Sequence, residues 1–181
     1  MHRVAFIGLG YVGLTTAVCF ASKGIDVVGY DVDKNKVQKL KDGKLPIYEP
    51  GLQELFRSSE SLKFTEDLAE AIESSDVVFI TVGTPSNDYG SIDLSYVKDA
   101  SSTIGRYLKE YKVVVVKSTV IPGTTSGLVR REIEASSGRK CCEDFGLVMN
   151  PEFLREGMAV YDTFHPDRII IGEMNARSGD V

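Results

Sequence analysis

Along this chain, short runs of apolar residues alternate with segments in which apolar positions recur at helical spacing. A run that is apolar at every position predicts a strand buried on both faces, as in parallel sheets. The predicted strands cover residues 4–7, 26–30, 76–82, 112–117, 145–149 and 168–172. The predicted helices cover residues 12–23, 34–40, 52–57, 67–74, 94–108 and 124–135.

This alternation predicts one α/β domain over residues 1–181. Because crossovers between parallel strands are right-handed, we expect a Rossmann-type, doubly wound parallel sheet with helices on both faces. Residues 43–61 interrupt the alternation and contain Pro46 and Pro50. Residues 136–144 are the best candidate for a linker, but they are too short to separate two domains.

Composition and charge narrow the class of protein. Of the 181 residues, 43% are hydrophobic and 26% charged, as in globular proteins. The net charge of −5 argues against a nucleic-acid partner, and no apolar run reaches the ~20 residues of a membrane span. The three cysteines lack the spacing of a disulfide framework or a zinc site, so we expect no metal and a reducing, cytoplasmic location.

A glycine-rich loop, GLGYVG at residues 8–13, follows a predicted strand and opens a predicted helix. Gly8 allows a tight turn, Gly10 lets a pyrophosphate approach the backbone, and Gly13 lets the helix pack close to the sheet. The free N–H groups and the dipole at the helix start favour phosphate. The context predicts a dinucleotide site. The alternative is a glycine-rich turn that binds no dinucleotide or binds another nucleotide.

Asp31 ends the second predicted strand, 18 residues after Gly13. A carboxylate there can accept hydrogen bonds from the adenosine ribose hydroxyls, and its charge repels a 2′-phosphate. We therefore expect NAD rather than NADP. Lys34 and Lys36 weaken this preference, because either side chain could reach a phosphate.

Three predicted strand ends carry polar sequence, at residues 82–85, 117–124 and 149–157. Ligands of open α/β sheets lie beyond such ends, although ordinary turns also need Gly and Pro there. Thr84 could face a nicotinamide, and the hydroxyls of Ser118 and Thr119 could orient a water. If a helix begins at Phe153, Glu152 and the residue four positions later share one face, and we favour a functional Glu152 over simple helix capping.

Several motifs resemble those of the NAD-binding domain of the UDP-glucose/GDP-mannose dehydrogenase family. They are GLGYVGL at 8–14, IYEPGL at 47–52, VGTP at 82–85, KSTV at 117–120, NPEFLREG at 150–157 and HPDR at 165–168. The motifs follow the family's order over nearly the whole chain. YEPGL and VGTP are most similar to the branch that oxidises UDP-glucose, since the branch for N-acetylated UDP-sugars tends to carry Pro where Gly83 stands.

The resemblance implies a four-electron oxidation of a nucleotide sugar's primary alcohol to a carboxylate, with NAD as cofactor. It implies that Thr119 positions a catalytic water and that Glu152 acts as acid/base. The implied substrate contacts are Glu152, Phe153, Leu154 and Arg155. The implied cofactor contacts are Gly8, Gly10, Tyr11, Val12, Gly13, Asp31, Lys36, Thr84, Pro85, Ser118 and Glu156.

Other family parts do not occur in this sequence. The family's catalytic cysteine motif, a catalytic lysine, the central helical dimerisation region and the C-terminal nucleotide-sugar domain are absent. We therefore expect these residues alone to bind NAD without turnover, and a longer protein to bind a UDP-sugar as a homodimer. Cys19 is expected in the core, while Cys141 and Cys142 match no family motif.

Alternatives remain open at this point. The chain could be a stand-alone, non-catalytic NAD-binding module, or be complemented by a separate chain. It could come from a UDP-N-acetylhexosamine or GDP-mannose dehydrogenase. A 3-hydroxyacyl or 6-phosphogluconate-type dehydrogenase opens similarly, but NPEFL and YEPGL count against that class.

Overall fold

A computed structural model describes residues 2–181, so that of the predicted domain only Met1 lies outside the described residues. Seven strands form one sheet in the order β3-β2-β1-β4-β5-β6-β7. β1 to β6 are parallel, and β7 runs antiparallel to β6. The strands are β1 (Val4–Ile7), β2 (Val27–Tyr30), β3 (Leu62–Thr65), β4 (Val77–Ile80), β5 (Val113–Val116), β6 (Gly146–Met149) and β7 (Gly172–Glu173).

Eight α-helices and one π-helical stretch connect the strands in the described part of the chain. The helices are α1 (Tyr11–Ser22), α2 (Lys34–Lys41), α3 (Leu52–Ser58), α4 (Leu68–Glu73), α5 (Ser95–Arg106), α6 (Arg130–Ser137), α7 (Ala159–Phe164) and α8 (Ala176–Gly179). Within residues 2–181, no helix has the length and hydropathy required to cross a bilayer.

Alternate residues of each central strand enter two separate apolar cores. Ala5 and Ile7 of β1 face the core that α4, α5 and α6 cover. Val4 and Phe6 face the core that α1 and α3 cover, where Phe6 stacks on Phe79 with ring centroids 4.8 Å apart. Burial on both faces explains why these strands are apolar at every position. The prediction of a doubly wound α/β fold is confirmed.

Two strand predictions need correction. β3 was not predicted, because Leu62-Lys-Phe-Thr65 alternates in polarity and its first three residues are only partly buried or exposed at the sheet edge. The strand predicted over residues 168–172 is wrong for most of its length. Ile169 and Ile171 are 67% and 54% exposed, and only Gly172 pairs with β6, in an antiparallel direction.

The helix predicted over residues 124–135 begins differently. Residues Thr125–Val129 are π-helical, and the α-helix follows at Arg130. The candidate linker, residues 136–144, belongs to the domain itself. It contains the end of α6, a left-handed Gly138, and Cys141, which pairs with Phe145.

The strand order places a topological switch at β1. The chain passes from β1 to β2 on one side, and β4 pairs with β1 on the other. Helices that leave β1 and β4 therefore diverge, which opens a crevice at the carboxyl ends of these strands.

Candidate functional site

A cleft of about 250 Å³ lies at this switch point, at the carboxyl ends of β1, β4, β5 and β6. Most of the polar strand ends identified in the sequence meet here. Its lining residues are Gly10, Tyr11, Val12, Thr81, Val82, Gly83, Thr84, Lys117, Ser118, Thr119 and Glu152. The cleft therefore combines the glycine-rich loop with hydroxyl, ammonium and carboxylate side chains.

Two glycines of the loop are required by close packing against the sheet. Gly8 has φ +100°, and a Cβ there would lie 2.7 Å from the Thr81 carbonyl oxygen. A Cβ on Gly13 would overlap the Gly8 carbonyl oxygen and lie 2.6 Å from Thr81 Oγ1. Thr81 Oγ1 donates a hydrogen bond of 2.7 Å to that same carbonyl. The loop is thus held tightly between β4 and α1.

We expect Gly13→Ala to lower the free energy of unfolding by about 1–3 kcal/mol, because its methyl group has no space. Urea denaturation measures this change. Gly127→Ala is the matched control, since a Cβ there meets no atom within 4 Å and the backbone is helical. Equal losses in the two variants would show that Gly13 is not a close-packing position.

Gly10 faces open space, which suits a phosphate-binding loop. A Cβ there would meet nothing within 4 Å, and no side chain caps the start of α1. The first N–H groups of a helix have no intrahelical acceptor, so those of Tyr11 and Val12 are available to an anion. The residues present therefore fit a pyrophosphate.

Asp31 is buried at the end of β2 and already accepts three hydrogen bonds. Its Oδ2 accepts from Leu9 N at 2.8 Å and from Lys36 Nζ at 2.7 Å, and its Oδ1 accepts from Asp33 N at 3.0 Å. The first bond ties the carboxylate directly to the glycine-rich loop. A carboxylate has about four lone-pair sites, so acceptor capacity remains for a ribose hydroxyl.

The hydroxyls after β5 differ in their surroundings. Ser118 is buried, and its Oγ donates to the Val82 carbonyl oxygen at 2.7 Å. This bond joins the end of β5 to the end of β4. Thr119 is exposed and lines the cleft, while Thr84, which also lines it, is half-buried. Pro85 is exposed and lies outside the cleft lining.

The segment after β6 is not helical at Phe153, contrary to the helix considered there. α7 begins only at Ala159, so Glu152 and Glu156 do not share a helix face. Glu152 Oε2 instead accepts a hydrogen bond from Leu154 N, two residues further on, at 2.7 Å. This bond forms a turn in a segment without regular secondary structure. Since no helix begins there, helix capping does not explain Glu152. Glu156 is exposed and outside the cleft lining.

A second cavity of about 430 Å³ adjoins the cleft, and Lys117 and Glu152 line both. The predicted substrate contacts Phe153, Leu154 and Arg155 line this second cavity. Arg155 is held there by Asp162, with Nη2 to Oδ1 at 2.6 Å. The two cavities therefore meet at the one predicted acid/base.

Sequence reasoning gave no role to Lys117, Asn150 or Glu49. Lys117 Nζ donates to Asn150 Oδ1 at 3.0 Å, and burial lowers the pKa of this lysine while the Glu152 carboxylate opposes that shift. Lys117 and Asn150 are the first residues of the motifs KSTV and NPEFLREG. Their place in these motifs was the sequence signal that could have indicated a role for them. Glu49 lies in IYEPGL, in the segment that interrupts the alternation.

The glycine-rich loop, the acid at the end of β2 and the cleft at the switch point define a dinucleotide-binding domain. A family model for the NAD-binding domain of the UDP-glucose/GDP-mannose dehydrogenase family matches residues 2–181. The chain belongs to this family, and its cofactor is NAD.

Relatives with different sugar substrates resemble the chain to similar degrees. UDP-glucose 6-dehydrogenase TuaD of Bacillus subtilis is 46% identical over 100% of this chain and 39% of its own length. GDP-mannose 6-dehydrogenase of Pseudomonas savastanoi pv. phaseolicola is 43% identical over 99% of this chain and 42% of its own length. The chain therefore spans about two fifths of these curated relatives.

A solved structure agrees closely with the fold described above. The GDP-mannose dehydrogenase of Pseudomonas aeruginosa, determined as a ternary complex, superposes with a TM-score of 0.96 at 42% identity. The superposition covers 98% of this chain and 42% of that one.

Proposed function

We propose that this chain is the cofactor-binding part of an enzyme that oxidises the primary alcohol of UDP-glucose to a carboxylate, with two NAD reduced in succession. The observation that carries the proposal is that Thr119 and Glu152 line the same cleft as the glycine-rich loop. The Thr119 hydroxyl and the Glu152 carboxylate thus lie in the same cleft as the N–H groups that we propose to bind the pyrophosphate. The UDP-glucose preference rests on YEPGL, VGTP and the 46% identity with TuaD.

In this proposal each residue has a defined task. NAD would supply the hydride acceptor. The N–H groups at the start of α1 bind the pyrophosphate, and Asp31 accepts from the ribose hydroxyls. Thr119 orients a water. Glu152 receives the hydroxyl proton, directly or through that water, because a positioned base is needed as the alcohol becomes a carbonyl.

The remaining contacts complete the two binding surfaces. Thr84 and Ser118 shape the nicotinamide side of the cleft, with Pro85 beside them. Lys36 and Glu156 contact the cofactor from outside the cleft lining. Phe153, Leu154 and Arg155 contact the sugar nucleotide from the adjoining cavity, which Glu152 shares.

Oxidation of the aldehyde stage needs a nucleophile that these residues do not bring to the cleft. Cys141 and Cys142 precede β6, so they lie at the opposite edge of the parallel sheet. Cys19 is 1% exposed within α1, and burial raises the pKa of its thiol to about 11, which makes it a poor nucleophile. We propose that the catalytic thiol, a lysine and most sugar-nucleotide contacts come from outside these 181 residues.

The direct test uses the 181-residue chain. We expect calorimetry to detect NAD binding, and we expect no UDP-glucose-dependent formation of NADH, because the thiol is absent from the cleft. Absence of NAD binding would refute the cofactor assignment. Turnover of UDP-glucose by this chain would refute the division of the site between two parts of a longer protein.

GDP-mannose is the second candidate substrate, favoured by relatives that are 43% identical and by the superposition at TM-score 0.96. In an active protein that includes these residues, comparing kcat/KM for UDP-glucose and GDP-mannose decides between them.

We further propose a cytoplasmic homodimer, on the basis of the three unpaired thiols and the family resemblance. Sedimentation measures the oligomeric state.

A further inference from the structure

Glu49, the acid of the YEPGL motif, is a buried carboxylate with three hydrogen-bond donors from distant parts of the chain. It is 4% exposed. Its Oε2 accepts from the Tyr11 hydroxyl in a short hydrogen bond and from Gly157 N at 2.9 Å. Its Oε1 accepts from Ala159 N at 2.8 Å. None of the ion pairs among residues 2–181 includes Glu49.

A buried carboxylate is costly unless its oxygens are hydrogen-bonded, so this arrangement is specific rather than incidental. Burial, and next the bond to Glu49, raise the pKa of Tyr11 to about 12. Tyr11 therefore stays a neutral donor at physiological pH. Its hydroxyl oxygen also accepts from Gly157 N at 3.2 Å, which closes a triangle of contacts.

These bonds join the two sides of the candidate site. Tyr11 directly follows Gly10 of the glycine-rich loop and lines the cleft. Gly157 lies five residues after Glu152, on the segment that leaves β6. Asn150 ties the near end of that segment, since it accepts from Lys117 and donates to the Ile170 carbonyl oxygen at 2.9 Å. Glu49 ties its far end.

We propose that Glu49 and Tyr11 are positioning residues that fix the Glu152 segment at a set distance from the phosphate-binding loop. Glu49 itself lines neither cavity; it acts through Tyr11 on the loop and through two backbone N–H groups on the segment. The consequence is that NAD binding and the conformation of residues 152–159 are coupled. This inference rests on the proposed function only in taking NAD as the ligand of the loop.

The test is a double-mutant cycle in the 181-residue chain. Glu49→Gln turns one acceptor into a donor that faces a buried N–H group, and Tyr11→Phe removes only the hydroxyl. We expect each variant to bind NAD about tenfold more weakly by calorimetry. The double variant is expected to bind no more weakly than the weaker single one, because both break the same link.

Two further measurements separate positioning from other roles. The amide NMR signals of Gly157 and Ala159 should shift on NAD binding in the wild type, and in Tyr11→Phe this response should shrink. Glu54→Gln, an exposed acid on α3, is the control and should match the wild type in both measurements. If Glu49→Gln does not fold, Tyr11→Phe and its amide response still test the coupling.

The inference is overturned if the variants lose only thermal stability while NAD affinity stays unchanged. It is also overturned if the two losses add, since addition would mean that the Tyr11 hydroxyl acts on NAD binding independently of Glu49. Failure of the wild-type chain to bind NAD is a different result, which refutes the proposed function instead.

Discussion

Replacing Asp31 with Asn is expected to lower the preference of the chain for NAD over NADP by about 100-fold. We expect NAD affinity to fall about tenfold, because a hydrogen bond to a charged acceptor is worth about 1–1.5 kcal/mol more than one to the neutral amide oxygen of Asn. We expect NADP affinity to rise by about the same factor, because the carboxylate no longer repels the 2′-phosphate. Calorimetric titration of both dinucleotides measures the change.

Lys36 explains why the affinity of the Asp31→Asn variant for NADP should rise above that of the wild type. Its Nζ lies 2.7 Å from Asp31 Oδ2, so the lysine is held by the acid that excludes the phosphate. Loss of the negative charge frees the ammonium for a phosphate at the same position. Adding Lys36→Gln to the Asp31 variant should therefore abolish the gain in NADP affinity.

The control for Asp31 is Asp42→Asn, which removes the same charge at the far end of α2, where the side chain is exposed. This variant should bind both dinucleotides as the wild type does. If Asp31→Asn also leaves both affinities unchanged, Asp31 does not contact the ribose. If NADP affinity rises equally with and without Lys36, the lysine has no part in the preference.

The elements that the sequence predicts well are those in which consecutive residues share the same buried environment. β1, β4 and β5 are buried on both faces, so their apolar runs identify them without knowledge of their neighbours. The glycine-rich loop is also recognisable locally, because its turn and its helix start involve a few consecutive residues, whereas its packing partner Thr81 lies 73 positions after Gly8. That is why the cleft could be located at the correct strand ends.

The elements that were missed depend on distant contacts or on exposure. β3 pairs only with β2 at the edge of the sheet and has an alternating pattern, so it resembles a loop with a few apolar residues. Ile169 and Ile171 form an apolar run, yet they are largely exposed, because hydrophobicity does not by itself ensure pairing. The turn at Glu152 has no local signal that distinguishes it from a helix start.

Glu49 shows most clearly what could not be predicted from the sequence alone. Its hydrogen-bond partners lie 38, 108 and 110 residues away, so only the folded chain brings them together. The segment that contains it interrupts the regular alternation, and its prolines indicated only a connection. The motif was recognisable, but the position of its carboxylate between the loop and the Glu152 segment was not.

Glu152→Gln has the largest expected effect on catalysis in an active protein that includes these 181 residues. We expect kcat to fall about 10²–10⁴-fold, because Gln cannot accept a proton, while NAD affinity changes little. The amide oxygen of Gln can still accept from Leu154 N, so the local turn is retained. Steady-state kinetics and calorimetry measure the two quantities separately.

The control for Glu152 is Glu143→Gln, an exposed acid before β6 at the opposite edge of the sheet, which should keep full activity. Wild-type activity in Glu152→Gln would reduce Glu152 to a residue that shapes the turn and would leave Thr119 with its water as the proton-accepting group of this cleft.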